Sequence, residues 1–251
     1  MSKMQSVLGH SEACCNIPPI ISKGYKEKGT FETINGLKYY VTGSPDAKKA
    51  IIFVYDIFGY FPQTLQGADI LASSPEGYQV LIPDFFEGEP ANIAWYPPET
   101  DDQKAKLGGW FPSHGPPTGV AKIPKVLEDV QETYGKKTFG AVGFCWGGKV
   151  VSVTSGEDTP WKAVASTSPS MMDPEDAAKI TIPTMCLPSM GEKPEMVDPW
   201  KKALKVDNFV ERFDDQLHGW MSARADLEDE RVKEEYKRGY RLFLEWFAKH
   251  L

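Results

Sequence analysis

Cysteine and histidine are scarce in this chain, four of each in 251 residues. Cys14, Cys15, Cys145 and Cys186 form no C-x-x-C pair, and His10, His114, His218 and His250 are widely dispersed. That spacing excludes the local ligand sets of structural zinc sites, and neither a metal nor another cofactor is expected. Arginine is rarer still for its usual abundance: Arg212, Arg224, Arg231, Arg238 and Arg241 are the full set, all near the C-terminus. With a net charge of -7 and lysines in no run longer than a pair such as Lys136-Lys137, the chain lacks the clustered cations that bind nucleic acid. No apolar stretch approaches the ~18 residues that span a bilayer. Met1 to Cys15 has no apolar signal-peptide core. The expectation is a cytoplasmic protein with free thiols, one of them reactive, acting on a small molecule without nucleic-acid or membrane partners, as a monomer or homodimer.

What is present reads as alternating strands and helices. Phe31–Ile34 and Leu37–Thr42 flank Asn35-Gly36, a hairpin signal. Ala50–Tyr55 is a continuous β-branched and apolar run, as a central parallel strand buried on both faces requires. A helix is expected over Gln63–Leu71, a strand over Tyr78–Ile82, a helix over Ile123–Tyr134 and a strand over Thr138–Val142. Further strands are expected at Trp161–Ser166, Thr184–Leu187 and Phe209–Phe213, and a closing helix at Asp229–His250, which leaves His250 exposed near its end. The alternation implies one α/β domain over residues 1–251, its mainly parallel central sheet flanked by helices on both faces. The polar segment before Phe31 is expected to wrap the surface. Residues 87–119 carry six prolines and the aromatics Trp95, Tyr96, Trp110 and Phe111 with weak periodicity, so they read as a lid.

Gly143-Phe144-Cys145-Trp146-Gly147-Gly148 lies between a predicted strand and a predicted helix. A nucleophile elbow has this form: the reactive side chain sits on a strained turn, and residues two positions either side must be small. Both are glycine. The turn sets Cys145 at a helix N-terminus, where the dipole and free N–H groups favour a thiolate. The N–H of Trp146 becomes an oxyanion donor. In this α/β-hydrolase arrangement the acid and then the histidine follow the nucleophile, and of the two later histidines His218, in a loop after a strand, is the expected base. The acid is sought after the Thr184–Leu187 strand, among Glu192, Glu195 and Asp198. Glu192 is favoured as nearest the strand end, because a triad acid must be anchored.

These residues resemble the dienelactone hydrolase family, carried by Tyr55-Asp56-Ile57-Phe58-Gly59, the elbow Gly143–Gly148 and His218-Gly219-Trp220. The resemblance runs from about Lys38 to the C-terminus. It implies a Cys-His-acid triad, hydrolysis of a lactone or activated ester, a carboxylate at Asp56 that contacts the thiol, and the N–H of Ile57 as second oxyanion donor. Arg224, Phe58, Trp110 and Trp220 are the candidate substrate-binding side chains. Three departures stand out: Glu192 where the family has Asp, Asp56 where it more often has Glu, and no arginine in mid-chain to hold a substrate carboxylate. The alternatives are a tailoring enzyme (cyclase, isomerase or dehydratase) for a polyketide-like molecule, or a non-catalytic binding protein on the same scaffold.

Overall fold

Asn35 and Gly36 adopt positive φ, 49° and 88°, as a two-residue turn between twisted strands demands. They join β1 (Thr30–Ile34) to β2 (Leu37–Thr42) in an antiparallel hairpin. β2 pairs antiparallel with β4 (Tyr78–Pro83); from there the sheet is parallel through β3 (Lys49–Val54), β5 (Thr138–Phe144), β6 (Trp161–Thr167), β7 (Thr184–Leu187) and β8 (Asn208–Val210). The order is β1-β2-β4-β3-β5-β6-β7-β8. β3 and β5 lie centrally, and Ala50–Val54 is wholly buried, which explains its unbroken apolar run. This is a computed structural model; it describes residues 20–251. Cys14, Cys15 and His10 lie outside the described residues. The beginning of the described chain lies along the first helix, where Gln66 bonds both backbone groups of Ile21 and Asp69 accepts from Lys28 N.

Helices cover both faces. On one, α1 (Pro62–Ala72) packs beside the C-terminal helix, whose Tyr240 fills the space left by Gly67. That last helix, α7 (Glu230–His250), is capped by Asp229, which accepts from Arg231 N and Val232 N. On the other face α3 (Pro116–Tyr134) and α4 (Trp146–Val153) meet where Gly119 admits the Trp146 ring. Beside α4, a smaller apolar cluster of Ala177, Ile180, Trp200 and Leu204 joins α5 (Pro174–Ala177) to α6 (Pro194–Ala203).

Residues 87–119 differ from the irregular segment expected. A 3-10 turn at Ile93–Trp95 leads into α2 (Asp101–His114), opened by a reciprocal capping box between Thr100 and Gln103. α3 begins at Pro116, seven residues before the expected start at Ile123, with proline at its first turn. β8 is shorter than expected, with Phe213 joined only by an isolated bridge to Ser189. His250 is also not the exposed residue expected: its ring lies 4.2 Å from that of Trp246 and its side chain is 10% exposed.

Candidate active site

Strand β5 ends at Phe144 and α4 begins at Trp146, so Cys145 alone makes the turn, at φ 52° and ψ -109°. A non-glycine residue pays for that conformation in strain, which neighbouring contacts must hold. Thr167 O accepts from Cys145 N (3.2 Å), and Cys145 O accepts from Ser170 N (3.0 Å) and Ser170 Oγ (3.1 Å). A Cβ at Gly143 would collide with the Gly147 carbonyl, and one at Gly147 with the carbonyl of Val54. The glycines are therefore fixed by contact with backbone. Cys145 is partly exposed, whereas Cys186 on β7 is fully buried and burial pushes its thiol up to about 12. Both are free thiols.

His218 follows β8 by a loop and reaches the elbow. Its Nδ1 donates to Glu192 Oε1 at 2.6 Å, and Cys145 is close enough to act on its ring. Burial opposes the imidazolium, but Cys145 and then Glu192 outweigh it and raise the group from 6.5 to about 11. Glu192 is buried three residues past Ser189, and its Oε2 accepts from Ser189 N (2.7 Å) and Ser189 Oγ (2.8 Å). Burial disfavours this carboxylate, yet the His218 hydrogen bond and charge, with the Ser189 donors, bring it below its ordinary range. Glu195 and Asp198 sit exposed on α6. Of the three acids considered, Glu192 is the one at His218.

Asp56, after β3, is placed differently from the thiol contact that the resemblance implied. Its Oδ1 accepts from Phe58 N (2.9 Å), and its Oδ2 from Ser222 Oγ (2.6 Å) and Ala223 N (3.2 Å). The carboxylate thereby ties the Ile57 loop to the loop that carries His218. Burial raises its pKa in spite of those donors. Among the described residues, no group of three or more His, Cys, Asp or Glu is placed to hold a metal ion.

The model of the dienelactone hydrolase family matches residues 37–251, most of the chain and every element of the site. The chain belongs to the dienelactone hydrolase family. An uncharacterized AIM2 family protein of Schizosaccharomyces pombe is 34% identical over 233 residues, covering 90% of this chain and 93% of the relative. A carboxymethylenebutenolidase homolog of Mus musculus is 29% identical, over 87% of this chain and 89% of its own length. Among solved structures, the dienelactone hydrolase of Anabaena variabilis superposes with a TM-score of 0.66 at 15% identity, over 90% of this chain and 98% of that one. This last likeness establishes the α/β-hydrolase fold.

The other candidates of this dienelactone hydrolase family member divide into those near the cysteine and those turned away. Trp220 is buried, stacked on Phe213 at 4.4 Å and packed against Gly239 of α7; it points into the core, not toward substrate. Trp110 donates Nε1–H to Glu89 O (2.8 Å) and stacks on His114 at 4.6 Å. It is separated from the elbow by Phe86, which touches both Trp110 and Trp146, so it anchors the 87–119 segment. Trp146 Nε1 in turn donates to His114 O (2.8 Å). Phe58 faces Tyr96, and the Arg224 guanidinium lies 4.8 Å over the Tyr96 ring while its Nη1 donates to His218 O (2.7 Å). Tyr96 is one of the aromatics that made the 87–119 segment read as a lid, whereas nothing in the sequence singled out Ser168, Ser189 or Ser222. Ser168 Oγ accepts from Gly219 N (3.2 Å) and fixes the His218 turn, where Gly219 has φ 90°.

Proposed function

We propose that this chain hydrolyses a lactone or activated ester through a cysteine nucleophile. The observation that carries the reading is the Glu192–His218 hydrogen bond, with Cys145 beside the ring at a strained elbow. Glu192 holds Nδ1, so the opposite ring nitrogen exchanges a proton with the thiol. The Cys145 thiolate attacks the carbonyl carbon, and the N–H groups of Trp146 and Ile57 stabilise the oxyanion. The carbon–oxygen bond of the leaving group then breaks, and His218 returns its proton to that oxygen. Water, deprotonated by His218, attacks the thioester and releases the acid and the thiolate.

An enol or aryl leaving group suits this chemistry, because a thiolate is itself a good leaving group and is otherwise expelled first. The curated mouse relative is named for a butenolide-opening enzyme, which favours a lactone. Asp56 acts as a positioning residue between the two loops, and residues 87–119 cover the site through Tyr96. Turnover of aryl and enol esters and unsaturated lactones by wild type and by Cys145→Ala tests the reading. Cys145-dependent release of acid, with one oxygen from isotopically labelled water, is expected. Conversion of substrate without oxygen incorporation would instead make the protein a cyclising or isomerising enzyme.

A further inference from the structure

Among the described residues, the three most exposed of the large apolar side chains flank the catalytic loops. Leu217, adjacent to His218, is 57% exposed; Met190, two residues before Glu192, is 45% exposed; and Met171, next to Ser170 on the Cys145 carbonyl, is 49% exposed. Met190 N donates to Gln216 O (2.9 Å), which brings the Met190 and Leu217 loops together. Met171 is held at φ 50°, a conformation a long unbranched side chain rarely adopts. Contacts elsewhere thus fix this methionine, one residue past the Ser170 that holds the Cys145 carbonyl, at some cost in strain.

Three of the cations nearby hold the same loops. Lys149 Nζ donates to Met171 O (3.1 Å) and pairs with Asp176. Arg212 donates to Glu192 O (2.8 Å) and Met190 O (3.2 Å) and pairs with Asp214. Arg224 donates to His218 O (2.7 Å) and faces Tyr96. These three cations therefore brace the backbone of the loops, while Met171, Met190 and Leu217 on the same loops leave apolar atoms in solvent. Methionine suits such a place because its flexible, polarisable side chain adapts to varied apolar shapes.

We infer that the substrate carries an uncharged apolar group, such as an alkyl or aryl chain, which lies across Met171, Met190 and Leu217 while its carbonyl is at Cys145. The inference rests on the proposed role of Cys145 as nucleophile, and its test separates the two. Alkylation of Cys145 by N-ethylmaleimide, N-hexylmaleimide and the anionic 6-maleimidohexanoate, each normalised to a small free thiol, reads the rim without needing hydrolysis. Four added methylenes, each partly buried and gaining roughly twofold, give an expected hexyl-over-ethyl preference of about tenfold or more. The anionic reagent should fall well below the hexyl one. Met171→Ser, Met190→Ser and Leu217→Ser should each move the ratio toward one, and Met190→Leu should preserve it. Equal ethyl and hexyl rates, or a faster anionic reagent, would overturn the inference. So would labelling that falls with protein concentration as two copies cover the rim. If the hexyl preference holds but no ester or lactone is hydrolysed, the proposed reaction fails while the apolar rim stands.

Discussion

Replacing Glu192 by Gln removes a charge without changing shape, and the structure sets the size of the effect. The carboxylate uses Oε1 for His218 Nδ1 and Oε2 for the N–H and hydroxyl of Ser189. An amide has one oxygen. If it stays on Ser189, its NH2 group meets the N–H of His218; if it turns to His218, the NH2 group meets the Ser189 N–H. Either way a buried donor loses its acceptor, which costs about 1–3 kcal/mol, and a charge-assisted hydrogen bond of about 1.5–3 kcal/mol disappears. The imidazolium that forms again when His218 takes the proton of water during deacylation bears both losses. Together they predict roughly a 10²- to 10⁴-fold fall in kcat, at about 1.4 kcal/mol per tenfold. Steady-state kinetics on an aryl ester measures it, with Glu195→Gln and Asp198→Asn as exposed controls that should stay within about threefold of wild type. A Glu192→Gln enzyme within threefold of wild type would refute the assignment. So would equal damage from either control.

Imidazole nitrogen NMR should find His218 charged throughout the neutral range, titrating near 11, and Cys145→Ala should lower that value because the thiol is its leading support. Since folding raises this group, its stabilising effect is complete below about 6.5 and lost as pH rises through about 11. Glu192 has the opposite sign: its contribution is present above its ordinary 4.5 and lost as pH falls through its depressed value. Gly147→Ala should destabilise the fold by about 3 kcal/mol or more in urea unfolding, because its methyl group would strike the Val54 carbonyl rather than a movable side chain. Tyr96→Ala should raise KM several-fold with a smaller change in kcat, since the ring covers Arg224 and Phe58 and touches no reacting atom; unchanged kinetics would remove the lid.

The legible parts of the sequence were those with a local physical cause. Asn35-Gly36 specifies its turn by backbone sterics, Ala50–Val54 its burial by an unbroken apolar run, and Gly143 and Gly147 the elbow by leaving no room for a side chain. Glu192 is legible because a triad acid must be anchored near the strand end, and Ser189 supplies that anchor. Weak amphipathy and Pro112 hid α2, although Thr100 and Gln103 stand at the spacing of a capping box. Trp220 was misplaced because proximity in sequence to His218 says nothing about which way a ring turns, and Trp110 because membership of the 87–119 segment says no more: one packs on Phe213 and the other on His114. Ser168, Ser189 and Ser222 act through contacts between loops far apart in the chain, except for Ser189 with Glu192. A loop serine carries no mark of that duty. Asp56 was legible as a residue of interest, but its partners Ser222 and Ala223 lie more than 160 positions away.

Intact-protein mass spectrometry during single turnover of an aryl ester detects a covalent acyl intermediate on Cys145. An added acyl mass is expected that maps to the Cys145 peptide, decays as acid is released, and is absent in Cys145→Ala. Hydrolysis by Cys145→Ala at the wild-type rate, or an acyl group found on another residue, would contradict it.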